Sequence, residues 1–432
     1  MKMGIVSPFI VFKNQKRPFE MPSEWRILTM ITDENEARVF SVQSMVDRAM
    51  RKPIDSPVLT ECLSHSNTVA VIIEDMTRSS PKREVLLRLL DELNAAHIKE
   101  QNISIIIGLG THRAMKPDDI DKLYGQDLTT RFAVFNHDCR SPDMVKIGNL
   151  GSGTAVRINR KVHESSFKIG IGSIVPHPLS GFGGGGKIIF PGVVDFDSVL
   201  DHHLRLSFHP GTGLGKLKAN LFYEEVQTMA QASGLNFIIN CILDQRAQVR
   251  DVVAGDPISA HLEGIMRSQQ AISRKFKGKS DITITTAYPH IEGSQIIKAI
   301  APATRVTHEG GCIILVAECR GGIPDYVLKS FARFHERYGR NLINGVQSYF
   351  ERRRLIMREG AIDFNMAMAF TLAALQRFRI ILVSPDISRV EGEKMGFIHA
   401  ENLDAAFDMA SSFYPSPTVN IIPLGGIILP IF

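Results

Sequence analysis

The chain has 432 residues, 44% hydrophobic and 22% charged, with a net charge of +5 at neutral pH. That length exceeds a single core, so two domains are expected, and the composition is that of an ordinary soluble globular protein. So small an excess of positive charge argues weakly for an anionic small substrate and poorly for nucleic acid. The five cysteines, Cys62, Cys139, Cys241, Cys312 and Cys319, have no C-x-x-C spacing, which excludes a zinc ribbon and a disulfide framework. Reduced thiols in a cytoplasmic protein are expected. The first residues lack a signal-type apolar region, and no apolar run reaches about 18 residues, so no membrane span is expected.

Residues 68–74, TVAVIIE, predict a buried strand. It runs into Asp75-Met76-Thr77-Arg78-Ser79-Ser80-Pro81 and a helical stretch around 82–97. Residues 103–109, ISIIIGL, predict a second strand, ending in Gly110-Thr111-His112-Arg113, with Pro117-Asp118-Asp119 starting a helix. A third strand near 131–135 ends at Asn136-His137-Asp138. Strands alternating with helices predict a parallel α/β sheet, where ligands gather at the carboxyl ends of strands. All three polar clusters sit there.

Residues 168–175 form a further strand feeding the segment PHPLSGFGGGGKIIFPG at 176–192, and 235–243 form another. Ala254-Gly255-Asp256-Pro257 is a turn before a helix. The basic stretch 268–280 reads as a linker, and DITITTA at 281–287 opens a second domain. That domain is expected to have strands near 312–317 and 379–384 and helices near 324–356 and 364–377. Arg352-Arg353-Arg354 reads as a solvated helix face. The apolar tail is expected to return to the first domain. The expected organisation is a catalytic domain of 1–272 plus 410–432 and a capping domain of 280–405. Each carries a mainly parallel sheet flanked by helices, with the active site in the cleft between them.

The segment 176–192 is the most informative. Gly183, Gly184, Gly185 and Gly186 end on Lys187. Glycines lack Cβ atoms, so a ligand can approach the main chain and N–H groups can turn toward an anion. A lysine directly after such a loop can act as a point charge or a covalent anchor. Ile188 follows the lysine, so the hydroxyl of a nucleotide-hydrolase phosphate loop is missing. The competing reading is a glycine-rich turn with an incidental lysine.

His112 and His177 are candidate proton-transfer groups. On opposite sides of one substrate carbon they would make a two-base racemase or epimerase; each alone is equally a structural histidine. Arg78 can fork onto a carboxylate, and Asp75 can hold an arginine or histidine in place; the alternative is an N-cap aspartate beside a surface arginine. His202 and His203 are adjacent, so they point in different directions and one can face a metal while the other does not. No H-E-x-x-H motif supports a zinc hydrolase.

The motifs D-x-T-R at 75–78, G-T-H-R at 110–113, H-P-L-S-G-F-G-G-G-G-K at 177–187, His203, A-G-D-P at 254–257 and Q-x-x-K at 295–298 together resemble the lactate racemase family. They follow the family's order across nearly the whole chain. The resemblance implies a nickel-pincer nucleotide, a pyridinium mononucleotide whose thio-acid arms hold nickel through sulfur and carbon. It implies attachment to Lys187 beside Gly183–Gly186, His203 as nickel ligand, His112 and His177 as the acid/base pair with Asp75 in support, and Arg78, Gln295 and Lys298 as substrate-binding residues. Nickel suits such nitrogen and sulfur donors. The implied reaction removes hydride from a 2-hydroxy acid while a histidine takes the hydroxyl proton, then returns hydride to the other face. Implied partners are a small anionic 2-hydroxy acid and cofactor-maturation proteins, with self-association compatible and neither nucleic acid nor membrane involved. Ser294 stands where the lactate enzymes carry tyrosine, and the single tryptophan, Trp25, is near the N-terminus. A larger or more polar acid, such as a sugar acid, is therefore as admissible as lactate. A cofactor-free two-histidine epimerase and a non-catalytic nucleotide-binding homologue are the alternatives.

Overall fold

The computed structural model describes residues 7–32 and 41–432. The chain divides into two compact units, Arg38–Ala271 and Met1–Ala37 with Ile272–Phe432. The sheet of the first unit runs, in spatial order, Val249–Gly255, Phe237–Leu243, Phe167–Ile174, Val69–Glu74, Ile103–Gly108 and Ala133–Asn136. Every neighbouring pair is parallel except the edge strand Val249–Gly255, which runs antiparallel to Phe237–Leu243.

The central strands are mostly apolar because both faces of the sheet are covered. Val69, Val71 and Ile73 point to one face, against Leu86, Leu89 and Leu93 of the helix Lys82–Ala95. Ala70 and Ile72 point to the other, against Ile188, Ile189 and Val193. Each fully buried Val or Ile here contributes about 1.5–3 kcal/mol. The segment after Lys187 thus forms part of the core. Gly170 admits it: a Cβ there would lie 2.6 Å from the Ile188 side chain.

The second unit has an all-parallel sheet in the order Ile398–Ala400, Arg379–Val383, Thr307–Val316, Ser280–Thr286, Thr418–Ile422, Arg26–Met30. Here the expected domain boundaries are corrected. The tail strand Thr418–Ile422 and the N-terminal strand Arg26–Met30 do not join the first unit. They cover the edge that Ser280–Thr286 would otherwise expose, burying Val419, Ile421 and Ile422 completely. The basic stretch expected to be a linker is also structured. The helix Ser259–Ile272 leads into the strand Ser273–Lys275, which pairs with Leu429–Ile431. Buried Ile272 and Phe276 anchor it at both ends. The expected helix 324–356 is two, Asp325–Tyr338 and Leu342–Glu351, separated at Gly339, whose φ is +54°. Among the described residues no helix is long and apolar enough to cross a membrane.

Candidate active site

In the first unit the polar clusters emerge at the carboxyl ends of neighbouring parallel strands. Asp75 follows Val69–Glu74 and is 3% exposed. Its Oδ1 accepts from the backbone N–H of Thr77 at 2.9 Å and from the Thr77 hydroxyl at 2.5 Å. Its Oδ2 lies 2.5 Å from Nδ1 of His112. Burial alone would raise the carboxyl's pKa. The His112 hydrogen bond and charge, Arg78 and Thr77 outweigh it and hold Asp75 down at about 2. Asp75 is therefore a carboxylate at neutral pH, so His112 donates from Nδ1, and in the neutral ring the acceptor nitrogen is Nε2.

The Asp75–Pro81 loop is tied from below. Lys82, 2% exposed, donates to the main-chain carbonyl of Arg78 and, at 3.4 Å, to that of Ser80. Burial lowers the Lys82 pKa, and the nearby Glu74 and Asp75 carboxylates oppose that. The Ser80 hydroxyl bonds to Glu74, whose other oxygen accepts from Ser173 at 3.0 Å. Ser173 lies in the strand leading toward His177, so the two loops share one carboxylate. A second tie joins the His112 turn to the segment after Lys187: Gly110 N–H donates to the Gly192 carbonyl at 2.9 Å.

His177 lies in the two-residue strand Pro176–His177, paired with Gly181–Phe182. Its Nδ1 accepts from the backbone N–H groups of Leu179 and Ser180, both at 3.2 Å. Lys187 sits in the 3₁₀ turn Gly185–Ile188, with its Nζ 5.6 Å from the centroid of the Phe222 ring. That ring is a common neighbour of the candidate groups: its centroid is 6.4 Å from His177, 4.0 Å from His202 and 4.9 Å from His203.

The glycine run has a different physical reason from the one expected. The space its missing Cβ atoms leave is filled by the protein itself. A Cβ on Gly184 would lie 2.8 Å from Asn240 Oδ1, on Gly185 2.3 Å from His261 Nδ1, and on Gly186 2.8 Å from Ala230 Cβ. Asn240 Oδ1 accepts the Gly185 N–H at 2.7 Å, and His261 Nε2 donates to the Gly183 carbonyl at 2.9 Å. Gly184 and Gly185 also have φ of +77° and +54°, where a side chain is strained. Burial above all pushes His261 down to about 4, with the Lys187 charge assisting.

The adjacent histidines differ in their hydrogen bonds, although their ring centroids are 5.3 Å apart and both lie against Phe222. His202 is fully buried, donates to the Phe222 carbonyl at 3.2 Å, and packs its ring between Phe190 and Phe222. Burial drives its pKa well below normal, with the His203 and Lys187 charges adding to the effect. His203 donates from Nδ1 to the Val199 carbonyl at 3.0 Å, one helical turn back, which makes Nε2 its lone-pair nitrogen. A histidine that binds a metal through Nε2 needs that tautomer. Among the described residues no group of three or more His, Cys, Asp or Glu is placed to hold a metal ion.

Gln295 and Lys298 belong to the second unit, in the 3₁₀ turn Gly293–Ala299 anchored by buried Ile296 and Ile297. Ser294 is in the same turn. Phe222, Lys82, Glu74, Asn240 and His261 escaped the sequence reading. Asn240 left a signal, a polar residue in the apolar run LNFIINCIL; the others left none.

Among known proteins, residues 12–215 match the family described as the lactate racemase N-terminal domain. The lactate racemase of Thermoanaerobacterium thermosaccharolyticum is 30% identical over 320 residues, 72% of this chain and 74% of that protein. The chain belongs to the lactate racemase family. Membership makes it an enzyme of the isomerase class. A second relative, the lactate racemase of Lactiplantibacillus plantarum, is 29% identical over 325 residues, 70% of this chain and 75% of the relative. The solved structure of the lactate racemase apoprotein from Thermoanaerobacterium thermosaccharolyticum has a TM-score of 0.85 at 25% identity, covering 98% of this chain and 99% of that one. A Thermotoga maritima protein shares the fold, with a TM-score of 0.65 at 17% identity over 90% of this chain and 98% of its own.

Proposed function

We propose that this member of the family racemises or epimerises a 2-hydroxy acid, using a nickel-pincer nucleotide joined to Lys187. The observation that carries this reading is the Asp75–His112 pair, 2.5 Å apart at a strand end with Asp75 buried, in the same unit as His177, Lys187 and His203. A carboxylate that orients an imidazole through Nδ1 leaves Nε2 as the base, an arrangement suited to taking a hydroxyl proton.

The C–H of a 2-hydroxy acid is too weakly acidic for histidine alone, and the nucleotide, when bound, supplies a hydride acceptor. The chain's own residues do the rest. His112 and His177 serve the hydroxyl group, one taking its proton and the other returning a proton after the centre has become planar. Asp75 holds His112. Arg78 binds the substrate carboxylate as a fork, and Gln295 and Lys298 are further substrate-binding residues. Lys187 is the attachment point, and His203 ligates nickel through Nε2, with Gly183–Gly186 shaping the main chain beside the cofactor. Ser294 replaces the family's tyrosine, which favours a substrate larger or more polar than lactate. Maturation proteins load the site, and the enzyme works in the cytoplasm, alone or as an oligomer.

The test is co-expression with the family's maturation proteins, followed by intact mass, nickel content and racemisation of a panel of enantiopure 2-hydroxy acids. Added mass on Lys187 with interconversion of at least one acid is expected. Interconversion by protein of unmodified mass would favour the cofactor-free epimerase. A loaded protein that inverts no 2-hydroxy acid would sink the proposal.

A further inference from the structure

We propose that the two imidazoles rest in opposite tautomers, with the proton of His112 on Nδ1 and that of His177 on Nε2, and that the turn His177–Ser180 enforces the second. For His112 the determinant is the Asp75 carboxylate 2.5 Å from Nδ1. For His177 it is the pair of main-chain N–H groups, Leu179 and Ser180, both 3.2 Å from Nδ1. Two fixed donors facing one ring nitrogen require a lone pair there, so the ring proton sits on the other nitrogen.

The turn cannot readily release those donors. Leu179 is 2% exposed and Ser180 is fully buried, so neither N–H can turn to water without unpacking. The Leu179 carbonyl accepts from Asn220 Nδ2 at 2.8 Å, and the Ser180 hydroxyl donates to the Phe182 carbonyl at 2.6 Å. Asn220 in turn caps the helix Leu221–Ala232, which carries Phe222 in its first turn. The tautomer of His177 is thus wired into the packing that surrounds Lys187 and His203.

For turnover, which rests on the two-histidine reading above, the site at rest offers one base and one donor. A substrate whose hydroxyl meets His112 reacts from the resting form, giving its proton to Nε2. In its resting tautomer His177 has no lone pair at Nε2 to take a proton, and giving up its single ring proton would leave an imidazolate, so either role first needs a proton on Nδ1, with both hydrogen bonds from the turn's N–H groups broken. The Nδ1 proton is drawn from solvent as His112 returns one to solvent, and the cost of placing it falls on the His177 half of turnover, which one enantiomer meets as base and the other as acid. The two enantiomers should therefore differ in kcat and KM separately, even where their equilibrium constant holds kcat/KM alike.

The experiment is long-range 1H–15N NMR on the full chain labelled with 15N-histidine, without cofactor, at about pH 8, where an ordinary imidazole is neutral. H112Q and H177N identify the two rings by loss of signal. The expected spectrum shows a protonated Nδ1 for His112 and a protonated Nε2 for His177. Both rings carrying the proton on the same nitrogen, or either ring doubly protonated, overturns the proposal. The measurement needs no turnover, so an inactive enzyme leaves it intact, and matching tautomers in an active racemase defeat it alone. A second readout isolates the turn. In H177N the Asn Oδ1 can still accept both N–H groups, so the melting temperature should stay near wild type, whereas H177A should lose several degrees. Equal loss in both variants counts against the acceptor role.

Discussion

Two loops of the first unit hold reactive groups at neighbouring strand ends and do so by opposite means. The Asp75–Pro81 loop is held by charge and hydrogen bonds: Asp75 to Thr77 and His112, Ser80 to Glu74, and Lys82 to two carbonyls beneath it. The Gly183–Lys187 loop is held by absence, three glycines leaving room for Asn240, His261 and Ala230. A polar loop of the first kind can be tuned by substitution, because removing one partner weakens a network. A loop of the second kind has no room for an added atom at Gly184, Gly185 or Gly186. In the proposed function the first arrangement would serve a pair that exchanges protons, and the second a lysine that must stay in one place.

The largest test concerns the rigid loop's cargo. K187A, matured alongside wild type, should carry no added mass and no nickel, with activity reduced by at least about 10³-fold. Wild-type nickel in that variant would break the comparison at its root. For the polar loop, D75N keeps the shape and removes the charge that sets the His112 tautomer, and activity should fall by about 10²–10⁴-fold. A D75N enzyme within a few-fold of wild type would show that His112 needs no orienting carboxylate.

Steric holding predicts a sharp difference between neighbours. G185A puts a Cβ 2.3 Å from the His261 ring at a φ of +54°, and should destabilise by about 2–4 kcal/mol in denaturant unfolding. G183A meets nothing nearer than 3.3 Å, at Ser173 O, and should cost under about 1 kcal/mol. Equal effects would mean that the loop yields. The smallest effect is a pH dependence. His261 has a folded pKa of about 4 against an ordinary value of 6.5. The unfolded chain therefore binds more protons between those pH values, and stability is full above about 6.5 and falls as pH drops toward 4. The His261 share is at most about 3.5 kcal/mol at acid pH, from about 1.4 kcal/mol per pKa unit. H261Q, which can keep the bond to Gly183, should flatten that limb of the stability curve. An unchanged slope would assign it to His202 and other groups.

The sheet strands were legible because each is a short β-branched run whose signal is local. Val69–Glu74, Ile103–Gly108 and Phe167–Ile174 fall within a residue or so of their expected spans. The candidate residues were legible for a related reason. Asp75, His112 and His177 follow those runs directly, and strand ends are where side chains reach a ligand. Lys82 and His261 were not. A lysine opening a helix and a histidine in one look solvated, and only packing shows both to be buried, at 2% and 1% exposure.

The sequence by itself determined the α/β class, the strand-to-loop rhythm and the order of the chemical motifs, because these depend on side-chain pattern within a few neighbours. Tertiary structure decided the rest. It placed Arg26–Met30 and Thr418–Ile422 side by side in the second unit's sheet, nearly four hundred residues apart. It chose Phe222 as the ring that His177, Lys187, His202 and His203 share. It also set which nitrogen of each imidazole faces a donor or an acceptor. These outcomes depend on which distant surfaces bury each other's apolar area and satisfy each other's polar groups, and no local stretch of sequence contains that information.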